Sequence, residues 1–253
     1  MNKTFSDHFA PVASHYADNR PTYPAELFAW LAGQCKEHVF AWDCGAGNGQ
    51  ASTELARYFE HVIATDASET QILQAMPHPK VEYRVASSES SGLDSACADI
   101  IVVAQALHWF DLDRFYAEVK RVVKPEGLLA AWSYGVLTVE GGEVNSIVQR
   151  FYHEEVGPFW PAERHHVETG YKEIDFPFRR ISAPAFTMNV RWNPAQLLGY
   201  FRSWSATDRF IKAKGFDPVE RIEPELLANW GDVDQARTIE WPLSILLGKT
   251  DQC

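Results

Sequence analysis

Cysteine is scarce in this chain and unpaired in its spacing. Cys35, Cys44, Cys97 and Cys253 form no C-x-x-C unit and no disulfide framework. That excludes a zinc ribbon or a stapled secreted module and suits reduced thiols in a cytoplasmic protein. Long apolar runs are also missing. The strongest, Ile100 to Leu107, is interrupted by Gln105 and falls far short of the roughly 20 residues that span a bilayer. Met1 to His8 lacks the apolar core of a signal peptide. Basic residues are outnumbered, with 23 Lys and Arg against 34 Asp and Glu and a formal charge of −11. A phosphate backbone wants a basic face, so the expectation is no nucleic-acid partner and no membrane partner. Arg164-His165-His166 has no carboxylate or cysteine at ligand spacing, so it reads as a solvated polar patch and no metal is expected.

What the chain does have is ordinary globular material: 46% hydrophobic and 23% charged residues over 253 positions. This suffices for one large domain, or one domain carrying an insertion. The informative stretch is Val39-Phe40-Ala41-Trp42-Asp43-Cys44-Gly45-Ala46-Gly47-Asn48-Gly49. It reads as a buried strand entering a glycine-dense turn and then the helical pattern Ala51 to Tyr58. Such a turn needs φ > 0, and bare backbone beside a helix N-terminus can lie close to a ligand. A second acid, Asp66, ends the run His61 to Thr65, the layout that grips a ribose in mononucleotide-type folds. The nicotinamide fingerprint G-x-G-x-x-G/A fails in both frames, since Gln50 or Ser52 occupies the sixth position.

Along the chain, helical and strand patterns alternate. A helix is predicted over Pro24–Cys35, strands over Val39–Asp43 and Val62–Asp66, and between them a helix over Gln50–Phe59. A short helix capped by Ser68 and stopped by Pro77 precedes strands at Val81–Val85 and Asp99–Ala104. The unbroken Ile-Ile-Val-Val run of the latter suits a central parallel strand buried on both faces. A helix over Leu112–Val123 ends at Lys124-Pro125-Glu126-Gly127, and a fifth strand covers Leu128–Tyr134. The fold class implied is α/β, with a doubly wound, mostly parallel sheet. Three regions are expected. Residues 1–139 form the cofactor-binding core with an N-terminal helical segment. Residues 140–237 form a substrate cap or lid with a sheet strand near 178–190. Residues 238–253 return as the last strand, where Trp241-Pro242 favours an edge or a bulge.

An acid two residues before G-x-G-x-G resembles the first motif of the class I S-adenosylmethionine-dependent methyltransferases, whose Rossmann-like sheet has seven strands. Gln105-Ala106-Leu107-His108-Trp109-Phe110-Asp111, Tyr16 to Pro24 and Lys124 to Leu128 narrow the likeness to the type 11 subgroup. That subgroup includes trans-aconitate methyltransferase-like proteins acting on small molecules. Residues 12 to 135 carry nearly all the matches, with weaker ones at Tyr200 to Ser205 and Leu246 to Lys249. The family's G-D-A-E after strand three is here Ala86-Ser87-Ser88-Glu89.

The resemblance implies S-adenosyl-L-methionine as cofactor and a small-molecule acceptor, with a carboxylate among the candidates. It implies that Gly45, Ala46 and Gly47 pass under the methionine and ribose, with Asp43 near the ammonium group. It places Asp66 on the ribose hydroxyls, Ala67 beside the adenine, Ser87 and Ser88 at the adenine edge, Gln105 closing the pocket, and Arg20 on the cofactor carboxylate. Tyr16, Tyr23, His108 and Trp109 would line the substrate pocket. His108 is the candidate catalytic residue, as substrate ligand or proton acceptor, against the alternative that it packs the next helix. Arg179, Arg180, Arg191, Arg202 and Arg209 read as surface ion-pairing residues rather than an anion pocket. Two other functions stay open at this level: a cofactor-binding regulatory protein without turnover, and a nucleotide-dependent oxidoreductase. Oligomeric state is not legible in the sequence.

Overall fold

A computed structural model describes residues 21–250. Its first half alternates as the periodicity predicts. Helix α1 (Ala25–Gln34) leads to β1 (Phe40–Cys44), α2 (Gln50–Leu55), β2 (His61–Asp66), α3 (Glu69–Leu73) and β3 (Val81–Val85). Strand β4 (Ala98–Ala104), α4 (Leu112–Val122) and β5 (Val123–Tyr134) complete the core run. The strands lie in the order β3-β2-β1-β4-β5, all parallel. Every residue of β1 is buried, as is all of β4 except Ala104.

Side-chain alternation divides this buried sheet into two cores. Ala41, Ile100, Val102, Ala130 and Trp132 face α1 and α2. Trp42, Ile101, Val103, Leu129 and Ala131 face α4 and the segment around Tyr171. Period 2 along each strand produces this split, and both faces need apolar residues because crossover helices cover both. At roughly 1.5–3 kcal/mol per large side chain buried, these two layers supply most of the drive for folding.

The second half comprises β6 (Thr138–Val139), α5 (Gly142–Arg150), α6 (Arg164–Glu168), β7 (Arg179–Arg180), β8 (Thr187–Trp192), α7 (Pro194–Arg202), α8 (Ser205–Lys214), α9 (Val219–Trp230) and β9 (Arg237–Lys249). Strand β9 is antiparallel and pairs with β5 through Leu128↔Lys249 to Tyr134↔Leu243. Strand β6 continues the β5 lane against β9, while β7 and β8 run along the other side of β9. Among the described residues nine strand segments therefore make seven lanes. Apart from α6, whose Val167 joins the core on the α4 face, the helices of this half pack with β9 around Trp192, Phe201, Trp204 and Trp241. Helix α7 opens on a capping box, with Asn193 accepting from the Gln196 amide at 3.0 Å and Gln196 returning the bond at 3.0 Å.

Four local expectations change. Strand β9 is interior rather than an edge. Pro242 is tolerated because the Leu243 amide bonds Phe186 in the β7/β8 lane. By alternation, position 242 faces the β5/β6 lane where pairing lapses between Tyr134 and Thr138. Lys124 to Gly127 is not a turn before β5 but a looped-out segment within it, as pairing jumps from Ala98↔Val123 to Ile100↔Leu128. Helix α2 ends near Leu55, short of Phe59. Ser68 occupies the N-cap of α3 without accepting a side-chain bond there.

Candidate active site

The turn Gly45–Gly49 joins β1 to α2 at the carboxyl end of the sheet, and all three of its glycines have positive φ (71°, 56° and 86°). A Cβ on Gly45 would stand 2.7 Å from the Ala106 Cβ and 3.1 Å from the Phe110 ring. One on Gly49 would collide with the Tyr83 hydroxyl, which donates to the Met76 carbonyl at 2.6 Å. Packing as well as φ therefore demands glycine here. The turn is pinned to β2, since the amides of Gly45 and Ala46 both donate to the Thr65 carbonyl at 2.8 and 3.0 Å.

Beside the turn opens a cavity of about 640 Å³, ample for a nucleoside-sized ligand together with a small second molecule. Gly45, Ala46 and Gly47 form part of its wall, and Asp66 and Ala67 at the end of β2 another part. The Asp66 carboxylate is oriented by two backbone donors, Gly47 at 2.9 Å and Ser68 at 2.8 Å. Around the place a Gly47 Cβ would fill, the nearest atom is Gln71 Oε1 at 3.8 Å, so a bare cradle borders the cavity. These residues fit S-adenosylmethionine: backbone clear of side chains, then a fixed carboxylate one strand away.

Ser87 and Ser88 line the cavity after β3. Their loop is tied back by Ala86 donating to the Asp66 carbonyl at 3.0 Å, and the Ser88 hydroxyl donates to Glu89 at 2.9 Å. Gln105 lines it after β4 in a left-handed conformation, φ 57°. Its side-chain amide clamps Tyr134, donating to the carbonyl at 3.1 Å and accepting from the amide at 2.9 Å. The strain of a non-glycine residue at φ > 0 is thus held by a reciprocal bond to β5.

Asp43 is the exception among the expected cofactor residues. It is fully buried below the turn and is not part of the cavity wall. Its Oδ2 accepts from the Ser52 hydroxyl at 2.5 Å, while Oδ1 has no partner. Burial, outweighing the Ser52 bond and assisted by nearby Asp66, raises its pKa to about 7. Tyr23 lies on the cavity wall; Tyr16 and Arg20 lie outside the described residues.

His108 and Trp109 belong to a short 3-10 turn after β4, and both reach the cavity. Their rings lie 4.9 Å apart. His108 is only 7% exposed, and its Nδ1 is 3.0 Å from the hydroxyl of fully buried Tyr171. Burial first, then the charges of Arg164 and His166, lowers its pKa to about 3. In either tautomer the imidazole is neutral near pH 7 and a weak base.

The stretch between β6 and β9 adds to the cavity wall side chains that the sequence did not single out as a site. Trp160, Arg164, Tyr200 and Trp204 all line it. Arg164, expected in a solvated patch, instead stacks its guanidinium over Trp160, 4.7 Å from the ring centroid, and donates from Nε to the Tyr152 hydroxyl at 2.9 Å. His165 does face solvent, paired with Glu173 at 2.8 Å. The two arginines of β7 are exposed and off the cavity wall, and Arg202 is committed to Asp217 and Glu223. The likeness at Tyr200 to Ser205 was the available signal for this wall. Among the described residues no cluster of His, Cys, Asp or Glu could hold a metal, and no helix is long and apolar enough to cross a membrane.

Known proteins share this arrangement. A methyltransferase domain family, type 11, matches residues 42–131, the stretch from β1 through most of β5. A candidate methyltransferase of Dictyostelium discoideum is 34% identical over 253 residues, spanning 98% of this chain and 96% of that one. An uncharacterised methyltransferase of Mycobacterium tuberculosis H37Rv is 30% identical over 172 residues, covering 63% of this chain and 69% of its own length. The solved structure of a candidate type II methyltransferase from Anaeromyxobacter dehalogenans superposes with a TM-score of 0.86 at 44% identity, covering 91% of this chain and 97% of that one. A parallel sheet with one antiparallel strand, a left-handed glycine turn and an acid ending β2 thus accompany a full-length sequence match, and the chain belongs to the class I S-adenosylmethionine-dependent methyltransferases.

Proposed function

We propose that this chain transfers a methyl group from S-adenosylmethionine to a small-molecule acid, with a carboxylate oxygen as the acceptor. One observation carries this reading: the glycine turn and Asp66 share a single cavity with a neutral, weakly basic histidine and an aromatic cap. When bound, the cofactor supplies a methyl made electrophilic by its sulfonium. The chain's own residues then bind, orient and exclude water. Asp66, oriented by two amides, suits the ribose hydroxyls, because an ionised carboxylate is a strong acceptor. Gly45 to Gly47, Ala67, Ser87 and Ser88 all line the cavity; the first three would offer backbone to the methionine portion, Ala67 would lie beside the adenine, and the two serines would border its edge. Trp109 presents an aromatic wall of the kind that favours a sulfonium cation.

Trp160, Tyr200 and Trp204 shield the cap side from water. Alignment of two reactants in such a site can supply roughly 7–11 kcal/mol of rate enhancement. His108 discriminates among acceptors. A phenol or an amine would gain from a base, and an imidazole whose pKa is about 3 is a poor one. A carboxylate arrives already ionised and needs none. His108 then serves as a hydrogen-bonding group that holds the acceptor. Calorimetric titration with S-adenosylmethionine, S-adenosylhomocysteine and NADH tests the cofactor half. Saturable binding of both adenosyl compounds and none of NADH is the expected result, and absence of adenosyl binding would sink the reading. Methyl-ester formation from a panel of small acids, followed by mass spectrometry, tests the acceptor half.

A further inference from the structure

We infer that Arg164 is the specificity-determining residue of the acceptor site, clamping the anionic group of a planar, apolar acid. This rests on the reading of the cavity as a methyl-transfer site. Arg164 begins α6 and lies on the cavity wall, half-buried. Its guanidinium face is spent on Trp160 at 4.7 Å, and its Nε on the Tyr152 hydroxyl at 2.9 Å. The Tyr152 hydroxyl donates in turn to Glu168 at 3.2 Å, which fixes the stack from behind. Among the described residues no carboxylate lies within 4 Å of the guanidinium. Arg202, next to the cavity-lining Ser203 and Trp204, is by contrast neutralised by Asp217 at 2.7 Å and Glu223 at 3.3 Å.

A cation held rigidly against an indole, short of a counter-ion and bordering a cavity is prepared for an anion. Two parallel N–H groups of a guanidinium match the two oxygens of a carboxylate. The position also suits the chemistry, because α6 packs against the short turn that carries His108, close enough for the charge of Arg164 to act on the imidazole. An anion held at Arg164 would then lie near a neutral imidazole as well as a cation. Beyond the cation the walls are aromatic: Trp160 and Trp204 lie 5.6 Å apart at 48°, and Tyr200 meets Trp204 edge-on at 5.6 Å. An aromatic lining beside the cation suits a carboxylic acid on an aromatic or conjugated frame.

The test titrates the protein saturated with S-adenosylhomocysteine with cinnamate and, separately, with its uncharged carboxamide. In the wild type the acid should bind at least about ten-fold tighter than the amide, the scale of one charge-assisted hydrogen bond. Arg164→Gln should erase that preference while leaving the affinity for S-adenosylhomocysteine and for the amide unchanged. Arg164→Lys should restore only part of it, since an ammonium lacks the planar fork. The wild-type acid-to-amide comparison needs no variant and stands even if Arg164→Gln folds poorly. Equal binding of acid and amide, binding of neither, or an acid preference that survives in Arg164→Gln each overturn the inference. Loss of S-adenosylhomocysteine affinity in a folded Arg164→Gln also overturns it, by assigning the arginine to the cofactor carboxylate. A wild type that fails to bind S-adenosylhomocysteine at all refutes the cofactor reading instead.

Discussion

Asp43 sits beneath the cofactor turn as a fully buried carboxylate with one orphaned oxygen, and it should make the protein's stability fall as pH rises. Its folded pKa of about 7 exceeds the ordinary aspartate value of 3.8. Below 3.8 both folded and unfolded chains hold the proton. Above that, the unfolded chain releases it while the folded one keeps it, until pH passes the folded pKa. The stabilisation is therefore complete below the unfolded pKa and is lost as pH climbs towards 7. Between about pH 5 and pH 8 the loss approaches 3 kcal/mol, two pKa units at 1.36 kcal/mol each. Asp43→Asn has the same shape, can still accept from the Ser52 hydroxyl, and has no such proton to lose. Urea unfolding of both proteins at the two pH values gives a double difference in which every other titrating group cancels. The advantage of the asparagine variant should grow by about 3 kcal/mol from about pH 5 to pH 8. An advantage that stays constant with pH would refute a protonated Asp43 and the burial argument behind it.

His108 predicts the opposite slope in acid: its folded pKa of about 3 lies below the ordinary 6.5, so stability should fall as pH drops through that window, and His108→Asn should flatten the fall in denaturation measurements. If His108 only positions the acceptor, kcat for an acid substrate should show no histidine-like titration between about pH 5 and pH 8, and a limb near 6.5 would contradict this. Asp66→Ala should weaken S-adenosylhomocysteine binding by roughly 100-fold, as a charged acceptor and the anchor of the Gly47 amide go together. An unchanged calorimetric titration would falsify the ribose assignment. Gly45→Ala should lower stability by about 2 kcal/mol or more, because φ 71° and the Ala106 methyl both oppose a Cβ; an unaltered urea midpoint would contradict it.

The core of the fold was legible because its determinants are local. Ile100 to Val103 must be buried on both faces wherever that strand lies, and Gly45 to Gly49 must turn whatever they bind. Spacing alone thus separated the glycine turn from a dinucleotide fingerprint, and Asp66 followed one strand later. Val81–Val85 was bounded correctly because His78 to Lys80 and Ala86 to Ser88 interrupt the apolar pattern on either side.

The stretch between β6 and β9 was less legible, because its meaning depends on partners far away in the chain. Arg164 looks like any solvated arginine until α6 folds back against the His108 turn and the Trp160 stack takes its face. Asp43 looks like a ligand from its place in the motif, and only the packing of α2 on β1 turns it inward to Ser52. Pro242 suggested an edge or a bulge; β9 is interior, and the proline is accommodated because the facing lane lapses at that residue. The sequence by itself determined the βα alternation, the glycine turn after β1 and the acid that ends β2, since period, φ preference and charge are properties of neighbouring residues. Tertiary structure alone decided that Arg164 meets no carboxylate among the described residues, which carboxylate is buried and which histidine is held neutral, because desolvation and ion pairing are set by residues far apart in the chain.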